Sequence, residues 1–135
     1  MRPLIRATLE ARVVQLVNLE RSRRGLRPVE ADELLADAAR AHSADMAARR
    51  YLAHVSPEGG TVADRVTAAG YRWSRVGENI AWGQPDARAV MKDWLASRGH
   101  RANIHNPEFV HLGVGVAHDT RSRIVWTQNF AVPAG

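Results

Sequence analysis

The chain of 135 residues carries 19 lysines and arginines against 14 aspartates and glutamates, a net charge of +5, with 45% hydrophobic and 24% charged residues. These proportions describe one domain spanning 1–135 with its own core, no apolar run near the roughly 18–20 residues of a membrane helix, and no signal-peptide stretch after Met1-Arg2-Pro3. Cysteine is absent, which excludes disulfides and thiolate chemistry, and Lys92 is the sole lysine, so the positive charge is guanidinium spread from Arg2 to Arg123, a solvated surface rather than a nucleic-acid patch.

Ile5, Leu9, Val13, Leu16 and Leu19 recur near a 3.6-residue period and predict a first helix over 5–24. Arg21, Arg23 and Arg24 crowd its last turn, where cations suit the helix dipole, and Gly25 stops it. A second helix over 31–50 has the stripe Leu35, Ala38, Ala39, His42 and Met46. His42 therefore lies on an apolar face, as a core histidine bonded to backbone. Pro57 and Gly59-Gly60 make 51–60 a loop, and His54 sits in it. Thr61 caps a short third helix to Ala69, with Val62, Val66 and Ala69 inward. Asp64 falls within that helix, near its positive end.

Residues 71–83 read as extended chain, and alternation puts Val76, Glu78, Ile80 and Trp82 on one face. A carboxylate among three large apolar side chains needs donors, a cation or the edge of a cleft. Asp86 caps a fourth helix whose Ala87, Val90, Met91, Trp94 and Leu95 form a well-marked stripe. It ends at Ser97-Arg98-Gly99, which leaves His100 at the negative end, where an imidazolium is favoured. A strand over 110–117 alternates about Gly113 and Gly115, whose bare faces suit close approach of another backbone. A turn at 119–122 leads to a strand over 124–130 with Ile124, Trp126, Gln128 and Phe130 on one face. The class is α+β, with helices covering an antiparallel sheet.

No ready-made local motif for catalysis, phosphate or metal is present. His100 and His105 are separated by about 140° on an ideal helix and do not form an i, i+4 ligand pair. A site would be assembled across the fold from His54, Glu78 and His100.

Several segments in chain order resemble one family: Asn18-Leu-Glu-Arg21, the helix of His42 and Met46, His54-Val-Ser-Pro57 and Gly77-Glu-Asn-Ile80. Trp94 to Ile104, Gly113-Val-Gly-Val116 and Trp126-Thr-Gln-Asn-Phe130 continue the match. The chain resembles the bacterial branch of the CAP superfamily, which includes cysteine-rich secretory, antigen 5 and pathogenesis-related-1 proteins. The resemblance implies an α-β-α sandwich with an open cleft, where His54 and His100 match the family's two histidines and Glu78 its glutamate. It departs at Ser97, where animal and plant members carry a second glutamate; Asp64 is the candidate compensating carboxylate. Two histidines can hold Zn²⁺ or another divalent ion, and Glu78 could then ligate, orient a histidine or act as general base. The bland alternative is a polar cluster without turnover. The resemblance also implies an extracellular domain that binds a lipid, polysaccharide or peptide, with a metal-dependent hydrolase as the rival.

Overall fold

The computed structural model describes all of residues 1–135. Five helices flank a four-stranded sheet: α1 (Pro3–Arg23), β1 (Glu30–Ala31), α2 (Glu33–Arg49), α3 (Val62–Ala68), β2 (Trp73–Trp82), α4 (Ala87–Ala96), α5 (Arg98–Ile104), β3 (His111–His118) and β4 (Ile124–Pro133). The strand order is β1-β3-β4-β2, antiparallel except for the short parallel pairing of β1 with β3. One face of the sheet buries Leu112, Val114, Val116, Trp126 and Phe130 against α1, α4 and α5. The other face packs on α2 and α3 through Leu35, Ala38, Val66, Met46 and Ile80. This is the expected α-β-α sandwich.

Side-chain caps fix where the helices begin. Asp32 accepts from Leu35 N–H, Asp86 accepts from Ala89 N–H, and Thr61 and Asp64 form a reciprocal capping box. The carboxylate of Asp64 accepts from Thr61 N–H at 3.0 Å, and that bond comes first among the causes holding its pKa below the ordinary value.

Two expectations are corrected. The inward side of α1 is Glu10, Val13, Val17 and Arg21, whereas Ile5 and Leu19 are half exposed. Tertiary partners override the apolar count here: Glu10 accepts from Val116 N–H and Arg40, while Arg21 donates to the carbonyls of Arg27, Ile104 and Asn106. Arg21 thus holds the chain after α5 rather than decorating a helix end. The fourth predicted helix also does not simply run out at Gly99. Ser97 turns extended (φ −103°, ψ 128°) and a separate helix, α5, begins, with His100 inside it.

Gly113 and Gly115 let α2 lie directly on β3. A Cβ at Gly115 would stand 2.1 Å from the backbone nitrogen of Arg40, and one at Gly113 would stand 2.1 Å from that of Ala36. Neither contact can be relieved by a side-chain rotation. Gly115→Ala is therefore expected to cost about 3 kcal/mol or more through overpacking, read by urea denaturation. Gly99→Ala, which meets nothing within 4 Å, should leave the midpoint unchanged or raise it. Equal stability of the two variants would remove the close approach as a constraint.

Candidate functional site

Glu78 lies in the edge strand β2, where the two helical layers meet. Its side chain is 2% exposed, and each carboxylate oxygen has its own donor. Oε1 is 2.9 Å from Nδ1 of His54, and Oε2 accepts from the Arg65 guanidinium at 2.8 Å. Arg65 also donates to the carbonyls of His54 and Gly60, tying the 51–60 loop to α3 and β2 together. Its carrier helix turns Val66 into the core, and Arg65 follows Val62 by one turn on the flank of that inward side.

The loop is held from beneath as well. Nε2 of buried His42 donates to Ala53 O at 2.8 Å, the residue before His54. Burial lowers the pKa of His42 and keeps the ring neutral, the state in which one nitrogen donates. The expectation of a core histidine bonded to backbone holds, and that bond sets the position of His54.

On the other side of β2, two asparagines fasten α5. Asn79 donates from Nδ2 to His100 O at 3.0 Å and to Gln128 Oε1 at 2.7 Å. Asn103 donates to the outward carbonyl of Glu78 and to Asn79 Oδ1. Trp94 Nε1–H caps the next outward carbonyl, that of Ile80, at 3.1 Å. The free edge of β2 is thereby covered rather than left open to another strand. Gly77 is required for this cover, because a Cβ there would meet Asn103 Oδ1 and the Phe109 ring at 2.9 Å.

His54 and His100 are brought into mutual influence. The hydrogen bond to Glu78 raises the pKa of His54, against partial desolvation. Desolvation lowers that of His100, and the charge on His54 lowers it further. The expected imidazolium at a helix C-terminus is corrected accordingly: His100 stands in the first turn of α5, with its pKa lowered. With Glu78 on Nδ1, His54 keeps Nε2 for the solvent side, and its side chain is 55% exposed.

The remaining expected residues divide. Asp64 is taken up as a cap, and Ser97 links α4 to α5 without making a side-chain cap. Nowhere in the chain do three histidine, aspartate or glutamate side chains converge as ion ligands. Each oxygen of Glu78 already accepts from one donor, and Arg65 places a positive charge beside the carboxylate.

Sequence reasoning missed Arg65, Asn79 and Asn103. Arg65 had a signal: the demand of Glu78 for a cation, met on the inward flank of a neighbouring helix. The asparagines stood in the motif segments without a role, since amide pairing across the fold leaves no trace in spacing.

A family model described as CAP, the cysteine-rich secretory protein family, matches residues 14–130. The chain is 45% identical over 121 residues to YkwD, an uncharacterised protein of Bacillus subtilis, covering 90% of this chain and 46% of that one. An extracellular protein containing an SCP domain from Bacillus anthracis superposes with a TM-score of 0.89 at 36% identity, over 97% of this chain and 44% of that one. The chain thus spans less than half the length of both. An outer surface protein of Borrelia burgdorferi shares the fold, with a TM-score of 0.84, 19% identity and 90% coverage of each chain.

Two measurements check the site. In a histidine NMR titration His54 should titrate above, and His100 below, the roughly 6.5 of a free imidazole, with Glu78→Gln returning His54 towards it. Because the folded value of His54 is the raised one, the pairing contributes stability fully present below about pH 6.5 and lost as pH rises through that value. A His54 that titrates at or below the free value would sink the ion pair. Arg65→Met should cost about 3–5 kcal/mol by stranding a buried carboxylate, and Arg65→Met/Glu78→Leu should recover most of it; a harmless single substitution would contradict this.

Proposed function

The chain belongs to the cysteine-rich secretory protein (CAP) family, and from that premise we propose that it is an extracellular, non-enzymatic binding domain. Its ligand docks on the His54–His100 surface through a carboxylate or carbonyl oxygen, as a peptide would offer. The observation that carries this reading is the closed chain Arg65–Glu78–His54. Oε1 of Glu78 holds the His54 imidazole through Nδ1 and Oε2 takes Arg65, which leaves Nε2 of His54 directed outward, a donor in the imidazolium that the Glu78 hydrogen bond favours. His100 beside it is biased neutral and serves as donor or acceptor.

The extracellular placement draws on the Bacillus anthracis relative, which is described as an extracellular protein. No helix of the chain is long and apolar enough to cross a membrane.

A hydrolase reading has less support. General-base work needs an acceptor within reach of water, and the Glu78 side chain is 2% exposed with a donor already on each oxygen, one of them the charged Arg65. A serine nucleophile would need a base on its hydroxyl. Ser56 instead accepts from Gly60 N–H, and Ser74 donates to the carbonyls of Val132 and Pro133. For a divalent ion, a carboxylate on the far nitrogen of His54 is an orienting contact often found behind ligating imidazoles. A His54 ring biased towards the imidazolium by Glu78, beside an arginine, makes a weak donor set for such an ion.

The reading is tested by titrating the protein with a short peptide carrying a free C-terminal carboxylate and with its C-terminal amide, following the imidazole signals. Saturable shifts of His54 and His100 are expected, stronger for the carboxylate and lost in His54→Ala. Shifts that persist in that variant would overturn the site. Calorimetry with Zn²⁺ is expected to show no tight binding; a tight one-to-one isotherm abolished in His54→Ala/His100→Ala would reinstate the ion centre. Peptide or ester turnover abolished in His54→Ala or Glu78→Gln would replace binding with hydrolysis.

A further inference from the structure

The arginines of this chain fall into two groups. Arg40, Arg49, Arg65 and Arg75 each meet a carboxylate. Another set meets none, and much of that set lines one connected run of the surface.

The run begins in the groove between α1 and α4, a cavity of 720 Å³ floored by Leu16, Leu19, Met91 and Leu95. Arg12, Arg23, Arg88 and Lys92 rim it. Its acid, Glu20, is engaged by His105 at 2.6 Å. Ala89 and Lys92 also line the next depression, of 520 Å³, together with Gln84, Asp93 and Trp82. Trp82 is shared in turn with a third, of 380 Å³, formed with Arg50, Thr120, Arg121 and Arg123 around the β3–β4 turn. Shared walls make the three depressions one path, with a cationic cluster at each end and half-buried Trp82 between them.

The acids along the path are already engaged. Asp119 accepts from Arg121 N–H, Arg123 N–H, Arg123 Nε and Trp82 Nε1. Asp93 accepts from Gln84 at 2.9 Å. By contrast Arg12, Arg23, Arg50, Arg88, Lys92 and Arg121 are exposed and form no ion pair. Exposed guanidinium groups without partners are poised for bidentate pairing with an anion.

The chemistry of the middle of the path selects the occupant. Trp82 is held edge-on by Asp119 with the Arg123 guanidinium over one ring face, and beside it Gln84 and Asp93 offer an amide and a carboxylate. These groups suit hydroxyls and an apolar ring face. Asp93 there repels a chain charged on every residue, and one aromatic is no series of stacking platforms for bases. We propose that this path binds an acidic polysaccharide whose carboxylates are separated by neutral sugars. The carboxylates meet the α1–α4 and β3–β4 clusters, and a neutral sugar lies at Trp82.

The test uses hyaluronan oligosaccharides, in which uronate and neutral amino sugar alternate, with dextran and an oligothymidylate as comparison polymers, read by tryptophan fluorescence and calorimetry. Saturable hyaluronan binding is expected, at least tenfold weaker or absent for dextran and for the oligothymidylate. Arg88→Gln/Lys92→Gln and Arg50→Gln/Arg121→Gln should each weaken it at least fivefold. Arg27→Gln/Arg72→Gln, which removes equal charge elsewhere, should leave it within twofold, with unchanged melting temperatures of all these variants certifying the fold. Absence of hyaluronan binding, equal loss in the Arg27/Arg72 control, or an oligothymidylate that binds as tightly with the same variant pattern would each overturn the proposal.

Discussion

A carboxylate buried in a sheet has to be neutralised where it stands, and Glu78 imposes that demand on three separate segments. It sits on an edge strand between apolar Val76 and Ile80, so neutralisation can come only from what packs over that edge. Arg65 on α3 supplies a full charge, and His54 in the preceding loop supplies a donor. Arg65 simultaneously takes up two loop carbonyls, so one guanidinium fixes the loop, the helix and the acid. On the opposite flank the Glu78 main chain is equally engaged, through Asn103 and α5. The residue is thus a junction between both helical layers. The exposed imidazoles have defined positions because of it.

That junction needs a rigid reference, which the middle of the sheet provides. Two bare positions on β3 bring the α2 backbone against the sheet, and Ser43 of α2 then donates to Gly115 O and pairs with Thr127. With α2 seated at that depth, His42 reaches Ala53 O and sets the height of the loop carrying His54. The order of dependence runs from the glycines, through α2 and His42, to the loop. A larger residue on β3 would disturb the site without touching it.

How much of this was legible in the chain follows from how local each determinant is. The layered fold was, because the stripes of α2 and α4 and the alternation about Gly113 and Gly115 are periodic signals. Glu78 stood out because alternation put a charge on an apolar face, and the physical demand for a cation could be stated without naming it. Arg65 went unnamed because it adjoins Asp64, and attention to a missing acid favoured the carboxylate. The structure uses that carboxylate to start α3 instead. The face of α1 was misplaced because Glu10 and Arg21 bury themselves on tertiary partners about a hundred and about eighty residues distant, which no periodicity encodes. His100 was misplaced because the break at Ser97 is one residue of extended backbone, too short for any pattern to register.

The same reasoning separates the two charged surfaces. Coulomb contributions sum, so an acid paired with an arginine presents little net charge to an ion, and the paired arginine little to a ligand. At Glu78 the charge is closed internally by Arg65, and what remains outward is the Nε2 side of His54. Along the path through Trp82 the closure goes the other way. The acids Glu20, Asp93 and Asp119 are consumed by histidine, glutamine and the turn itself, and six cations are left facing solvent. Net charge alone does not distinguish these outcomes, since both regions contain arginine and acid side by side. Only the pairing does, and it makes the imidazole surface a place for hydrogen bonds and the basic path a place for anions.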